Sequence, residues 1–230
     1  YEGSFVLYDL ENDAWSIHNK DHATLRVAPN STYKIYDALF GLEESVITPK
    51  NSFIAWNGEI YPFEAWNADQ TLQSAMNSSV NWYFQTVDEQ LGASDVYSYI
   101  QEIGYGNENM SGDFSTYWME SSLEISPIEQ VELLAKLQNN SFGFAPENIS
   151  TVKDAICLSS SDAGTFYGKT GTGRVNGQYV NGWFIGYIET ADNTYFFATN
   201  ISADSDATGG NATEITMSIL SDMNIWVSQK

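Results

Sequence analysis

The chain has 230 residues, 43% hydrophobic and 14% aromatic, which is enough apolar surface to offset chain entropy and to exclude intrinsic disorder. Thirty Asp and Glu stand against nine Lys and Arg, a formal charge of −21 that repels phosphate backbone and anionic lipid and excludes nucleic acid as a partner. No apolar run approaches the roughly 20 residues of a membrane-spanning helix, 182–188 being the strongest candidate.

Residues 4–10 read as a strand, Glu11-Asn12-Asp13 form a polar break, and 14–18 follow as a second strand, which together predict a β-hairpin. Over 32–44, Ile35, Ala38, Leu39 and Leu42 recur at i, i+3, i+4 and i+7 and predict an amphipathic helix with Ser31 at its loop junction. The stretch 49–73 has little period but many aromatics, and helices are expected near 80–91 and 95–103, so the middle block reads as a helical lobe. Ser126-Pro127-Ile128-Glu129 combines an N-cap serine, proline at the first helical position and glutamate at the third, with Val131, Leu134 and Leu137 on one stripe.

Another helix is expected after Pro146, and the single cysteine, Cys157, is expected in a helical stretch over 155–158 as a small buried thiol. Segments 165–172, 179–189 and 194–202 predict three consecutive antiparallel strands, and 202–210 reads as a surface loop. Asn211-Ala212-Thr213-Glu214 reads as the cap of a last helix, with Ile215, Ile219, Leu220 and Met223 as its apolar face. This order predicts one α+β domain over 1–230, an antiparallel β-sheet flanked by helices with a helical lobe. Segments 1–30 and 164–230 form its α/β part and 31–160 its largely helical part.

The two histidines, His18 and His22, both read as surface residues of the first hairpin. A spacing of four spans roughly 13 Å on a strand, and no third ligand has an evident place, so no metal is expected and no Ser-His-Asp engine either. What remains is a serine activated by lysine. The cations are Lys20, Arg26, Lys34, Lys50, Lys136, Lys153, Lys169, Arg174 and Lys230. Lys34 follows Ser31 by three, which on a helix's first turn brings amine and hydroxyl to one face. Ser150 and Lys153 repeat that spacing, and such pairs are ordinarily solvated. Two further elements single out the first copy: Ser79-Val80-Asn81 is the chain's one Ser-x-Asn, and Lys169-Thr170-Gly171 its one Lys-Thr-Gly.

In this order the three motifs resemble those of serine β-lactamases and penicillin-binding proteins. The resemblance implies that Ser31 Oγ attacks a lactam carbonyl, Lys34 takes its proton, and the amides of Ser31 and Thr172 hold the oxyanion. It further implies that Lys169, Thr170 and Thr172 grip the substrate carboxylate, with Gly171 allowing close approach, and that Ser79 relays the proton to the leaving nitrogen. Tyr105-Gly106-Asn107, Trp118-Met119-Glu120-Ser121-Ser122-Leu123 and Tyr167-Gly168-Lys169-Thr170-Gly171-Thr172-Gly173 narrow the resemblance to class D (OXA-type) β-lactamases and to the sensor domains of BlaR/MecR-type β-lactam receptors.

In class D enzymes the lysine matching Lys34 carries a CO2-derived carbamate, held by the tryptophan matching Trp118, and the third position of the second motif is typically valine. Here that position is Asn81, as in the sensor domains. The resemblance therefore implies β-lactam antibiotics as ligands, a long-lived acyl-enzyme with slow or absent turnover, and no cofactor beyond a carbamate on Lys34. It places the domain at the extracellular face of the membrane, tethered to a signalling region, or secreted; the start at Tyr1, just before the first strand, fits excision from behind a membrane segment. The alternatives are a class D β-lactamase with true turnover and a penicillin-binding transpeptidase or carboxypeptidase. One departure is that 202–211 lacks the arginine with which class D enzymes often bind the substrate carboxylate.

Overall fold

The structure, a computed structural model, describes residues 1–226, so Lys230 lies outside the described residues. The first hairpin forms as β1 (Glu2–Asp9) and β2 (Ala14–His18). A short helix α1 (Lys20–Ala23) and a 3-10 turn (Asn30–Thr32) lead into α2 (Lys34–Glu43). The helical part continues with α3 (Leu72–Asn77), α4 (Asn81–Leu91), α5 (Ala93–Ile103), α6 (Pro127–Gln138) and α7 (Pro146–Ala155). The chain then returns through β3 (Cys157–Ser161), β4 (Gly164–Val175), β5 (Gln178–Glu189) and β6 (Thr194–Ser202), and α8 (Gly209–Asp222) packs on these strands.

All six strands are antiparallel neighbours in the order β2-β1-β6-β5-β4-β3, the expected α+β architecture with the first hairpin beside the last strand. β5 shows why its sequence is apolar almost throughout: Trp183, Ile185 and Tyr187 face the core shared with the helical part, whereas Phe184 and Ile188 face the core under α8. A central strand covered on both faces has no polar side to present.

Four expectations need correction. Cys157 is not in a helix and is not buried: α7 ends at Ala155, and Cys157 opens β3 with its thiol exposed. β3 is an edge strand paired on one side and exposed along its whole length, so Cys157-Leu158-Ser159-Ser160-Ser161 carries no apolar period to reveal it. The last helix is capped by Thr208, whose side chain accepts from the Asn211 N–H, and not by Asn211. Its buried line is Ala212, Thr216 and Leu220, with Ile215 and Ile219 half-buried and Met223 exposed. The 202–210 segment is not wholly a surface loop, because Ala207 is buried and bridges Val180.

Candidate active site

Ser31 sits in the 3-10 turn, not in α2 itself, and Lys34 is the first residue of α2. The turn is fixed from three sides. The Asn181 amide and the Trp183 indole of β5 both donate to Ala28 O (2.9 Å each), Gln130 of α6 donates to Thr32 Oγ1 (2.8 Å), and the Asn30 N–H donates to Trp118 O (2.9 Å). Asn30 is held at φ 50, a left-handed conformation that costs a non-glycine residue energy and persists where the surroundings over-determine it.

The Lys34 side chain is fully buried, with Nζ 5.4 Å from the Phe84 ring centroid and 5.1 Å from that of Trp118. Three oxygens surround it: Ser31 Oγ at 2.9 Å, Ser79 O at 2.7 Å and Asn81 Oδ1 at 2.5 Å. The Asn81 amide is oriented by its other end, which donates to Met119 Sδ. A neutral amine has two N–H bonds and one lone pair. The two carbonyl oxygens take the N–H bonds, which leaves the lone pair for the Ser31 hydroxyl, the arrangement a general base needs. Burial, and next the charge of Lys169, hold Lys34 well below the ordinary lysine range, with Asp37 pulling weakly the other way.

Ser79 stands in the turn between α3 and α4 at φ 51, and Lys169 of β4 donates to its hydroxyl and to Thr170 O (3.0 Å). Burial lowers Lys169 to about 7. β3 pairs with β4 only as far as Tyr167, so beyond it β4 offers a free edge. The Gly168 N–H points to that side, bonding Ile156 O. Backbone direction alternates along a strand, so the N–H groups of Thr170 and Thr172 face the same open edge. Gly171 and Gly173 let β4 come this close: a Cβ at Gly171 would lie 2.9 Å from Pro29 O, and one at Gly173 would overlap the Glu120 carboxylate.

The cleft between these walls has a volume of about 450 Å³ and takes in Ser31, Ser79, Asn81, Trp118, Thr170 and Thr172. Lys34 and Lys169 reach it from beneath, and Gly171 backs it. The motifs thus converge from positions up to 140 apart, Ser31 to Gly171. Ser150 and Lys153 do not join them: Lys153 on α7 pairs with Glu189 at 2.7 Å. Neither do the histidines. His18 is exposed on β2, and His22, on α1 instead of a strand, is half-buried with Nδ1 unpartnered.

Sequence reading missed five contributors: Glu120, Arg174, Tyr179, Phe63 and Trp66. Glu120, at φ 43, accepts from the amides of Asn30 and Asn181 (2.8 Å each) and so ties the Ser31 turn to β5. Arg174 and Tyr179 of the β4–β5 hairpin form one rim of the cleft, and Phe63 and Trp66 another. None of these lies in a motif whose spacing implies a function, apart from Glu120 in the Trp118 stretch.

Beneath Lys34, Asp37 of α2 and Asp88 of α4 are buried together, with the Tyr117 hydroxyl 3.1 Å from Asp88 and 2.8 Å from the Tyr33 hydroxyl. Burial raises both carboxyls above the usual range, reinforced in Asp37 by the Asp88 charge. With the Asp37 carboxyl, the one of the pair that acts on Lys34, raised in this way, Lys34 lacks a full counter-ion, which favours its neutral form.

A carbamate on Lys34 would need the indole N–H of Trp118, which is buried without a partner and so fits. The nitrogen itself fits poorly, since Ser79 O, Asn81 Oδ1 and Ser31 Oγ already take its three directions. Carboxylation at this amine requires Asn81 to give way.

The model of the penicillin-binding protein transpeptidase domain matches residues 3–221. The chain belongs to this family. Within it, the chain is 47% identical over 226 residues to the regulatory protein BlaR1 of Bacillus licheniformis, covering 98% of this chain and 37% of that protein, so it spans little more than a third of that relative. In structure it resembles the C-terminal domain of the B. licheniformis BlaR penicillin-receptor, at a TM-score of 0.95 and 46% identity, covering 98% of this chain and 92% of the other. It also resembles a class D β-lactamase from Bacillus subtilis, at a TM-score of 0.93 and 36% identity, covering 99% and 93%. The fold is therefore that of the transpeptidase family, in the form shared by the BlaR penicillin-receptor domain and the class D β-lactamase.

Proposed function

We propose that this chain is a β-lactam sensor domain, acylated at Ser31 to give a long-lived adduct. In the reaction, the Lys34 lone pair takes the Ser31 proton as Oγ bonds to the lactam carbonyl carbon, and the oxyanion rests on the N–H groups of Ser31 and Thr172. The lactam C–N bond then breaks, and its nitrogen receives the proton from Lys34 through Ser79. Lys169, Thr170 and Thr172 hold the ligand carboxylate.

The observation that carries the sensor reading is Asn81 Oδ1 on Lys34 Nζ. Deacylation needs a base to activate water, and Asn81 keeps Lys34 as an engaged amine and disfavours its carbamate. Glu120, the carboxylate in the cleft wall, is engaged by Asn30 and Asn181. Likeness to a penicillin-receptor domain supports the same reading. It also supports a place outside the cell, as part of a longer, membrane-tethered receptor in which other segments pass on the signal. Class D turnover remains the second reading, favoured by the unpartnered Trp118 indole.

The test is the intact mass of the protein with benzylpenicillin, followed from seconds to hours, with Ser31→Ala as control. A penicilloyl adduct that forms quickly and persists is expected, absent in Ser31→Ala. Asn81→Val should shorten its lifetime at least about tenfold, a modest share of what a general base contributes. An adduct that vanishes while penicillin is consumed makes the protein a β-lactamase, and no adduct with no hydrolysis overturns the role of Ser31.

A further inference from the structure

We infer that Arg174 is a specificity-determining residue of the cleft, binding a carboxylate on the acyl side chain of an aryl-bearing β-lactam. The inference rests on the acylation of Ser31 proposed above, which sets the direction in which a ligand lies along β4. Its ring carboxylate sits at Lys169, Thr170 and the Thr172 side chain, and its reacting carbonyl at the Thr172 N–H. In a β-lactam the acylamino substituent leaves the ring on the far side of that carbonyl from the carboxylate. The side chain therefore continues along the strand past Thr172, toward Arg174 two residues on, which lies beyond the β4 register shift at Gly173/Arg174 and lines the same cleft.

Arg174 is exposed, lines the cleft and is already oriented. Its guanidinium carbon lies 5.8 Å over the Tyr179 ring, and Nε donates to Gly177 O at 3.2 Å. These contacts occupy one N–H and one face of the fork, and the remaining donors suit a carboxylate bidentately. Among the described residues Arg174 makes no ion pair, although the chain carries 30 acidic residues. Glu120, the acidic group in the same wall, is bound by the Asn30 and Asn181 amides and does not pair with it. The other two basic side chains at this site, Lys34 and Lys169, are engaged by the chemistry. In the same cleft lining Phe63, half exposed, packs against Trp66 with ring centroids 5.0 Å apart, and the Trp66 indole is anchored on Ser78 O at 2.9 Å. An aromatic pair and an oriented guanidinium lining one cleft fit a side chain that has both a ring and an anion.

Benzylpenicillin and carbenicillin test this as a pair, since they differ by one carboxylate on the carbon bearing the phenyl ring. The second-order acylation rate constant for each, read by intact mass, gives a carbenicillin-to-benzylpenicillin ratio. Arg174→Gln should lower that ratio about tenfold, the scale of one charge-assisted hydrogen bond at a partly exposed site. Lys20→Gln, which removes an exposed cation on α1, should leave it unchanged. Loss of the same factor for both penicillins, an unchanged ratio in Arg174→Gln, or an equal change in Lys20→Gln overturns the assignment. Failure of the wild-type protein to form any adduct overturns the acylation reading instead, and this inference with it.

Discussion

Two buried lysines share the cleft, and their surroundings divide the labour between them. Lys34 has two carbonyl oxygens for its N–H bonds and a hydroxyl for its lone pair, so it suits proton acceptance. Lys169, lowered by burial to about 7, is cationic below that pH and neutral above it in the free protein. If its charge attracts the ligand carboxylate, the acylation rate constant for benzylpenicillin should fall as pH rises through about 7. A stopped-flow or quench series across that range checks it, and a rate constant still rising well above pH 8 would show that Lys169 acts without its proton. At this scale Ser31 and Lys34 were legible because one helical turn brings them together whatever the rest of the chain does. Glu120 and Arg174 were not, since nothing local distinguishes a cleft carboxylate or guanidinium from a solvated one.

The helix whose start was plainest in the sequence also braces the site. Ser126 caps α6, accepting from the Glu129 N–H while the Glu129 carboxylate accepts from the Ser126 N–H, and Glu129 is paired in turn with Arg26. Ser126→Ala should cost about 1 kcal/mol of stability, read as a lower urea midpoint with unchanged slope. Because α6 also carries Gln130 to Thr32, slower acylation should accompany it if the helix start shifts. Elements with an apolar period or a local cap were readable, as α2, α6 and the strands around β5 show. β3 was not, being polar and exposed, and the start of α8 was misplaced because Gly209-Gly210 argues against a helix by propensity. Packing demands that glycine: a Cβ at Gly209 would lie 2.7 Å from Thr170 Cβ and 2.9 Å from Gly171 O.

Across the whole molecule the charge of −21 is offset by few contacts, with ion pairs among the described residues at Arg26–Glu129 and Lys153–Glu189. Self-repulsion of that size destabilises the compact state and is screened by salt, so the melting temperature should rise between about 0.01 M and about 0.5 M NaCl. A flat or falling curve would mean that the acidic residues lie too far apart to repel. Among the described residues no helix is long and apolar enough to cross a membrane. The sequence by itself determined the α+β class, most of the elements and the chemical set of serine, lysines and amide, because period, caps and short motifs are written over a few neighbouring positions. Only the tertiary structure decided that Asn81 reaches Lys34, that Lys169 reaches Ser79, and that Glu120 and Arg174 join the same cleft. Those meetings depend on how the helical part packs against one edge of the sheet, and distance in space between residues far apart in the chain has no local signature.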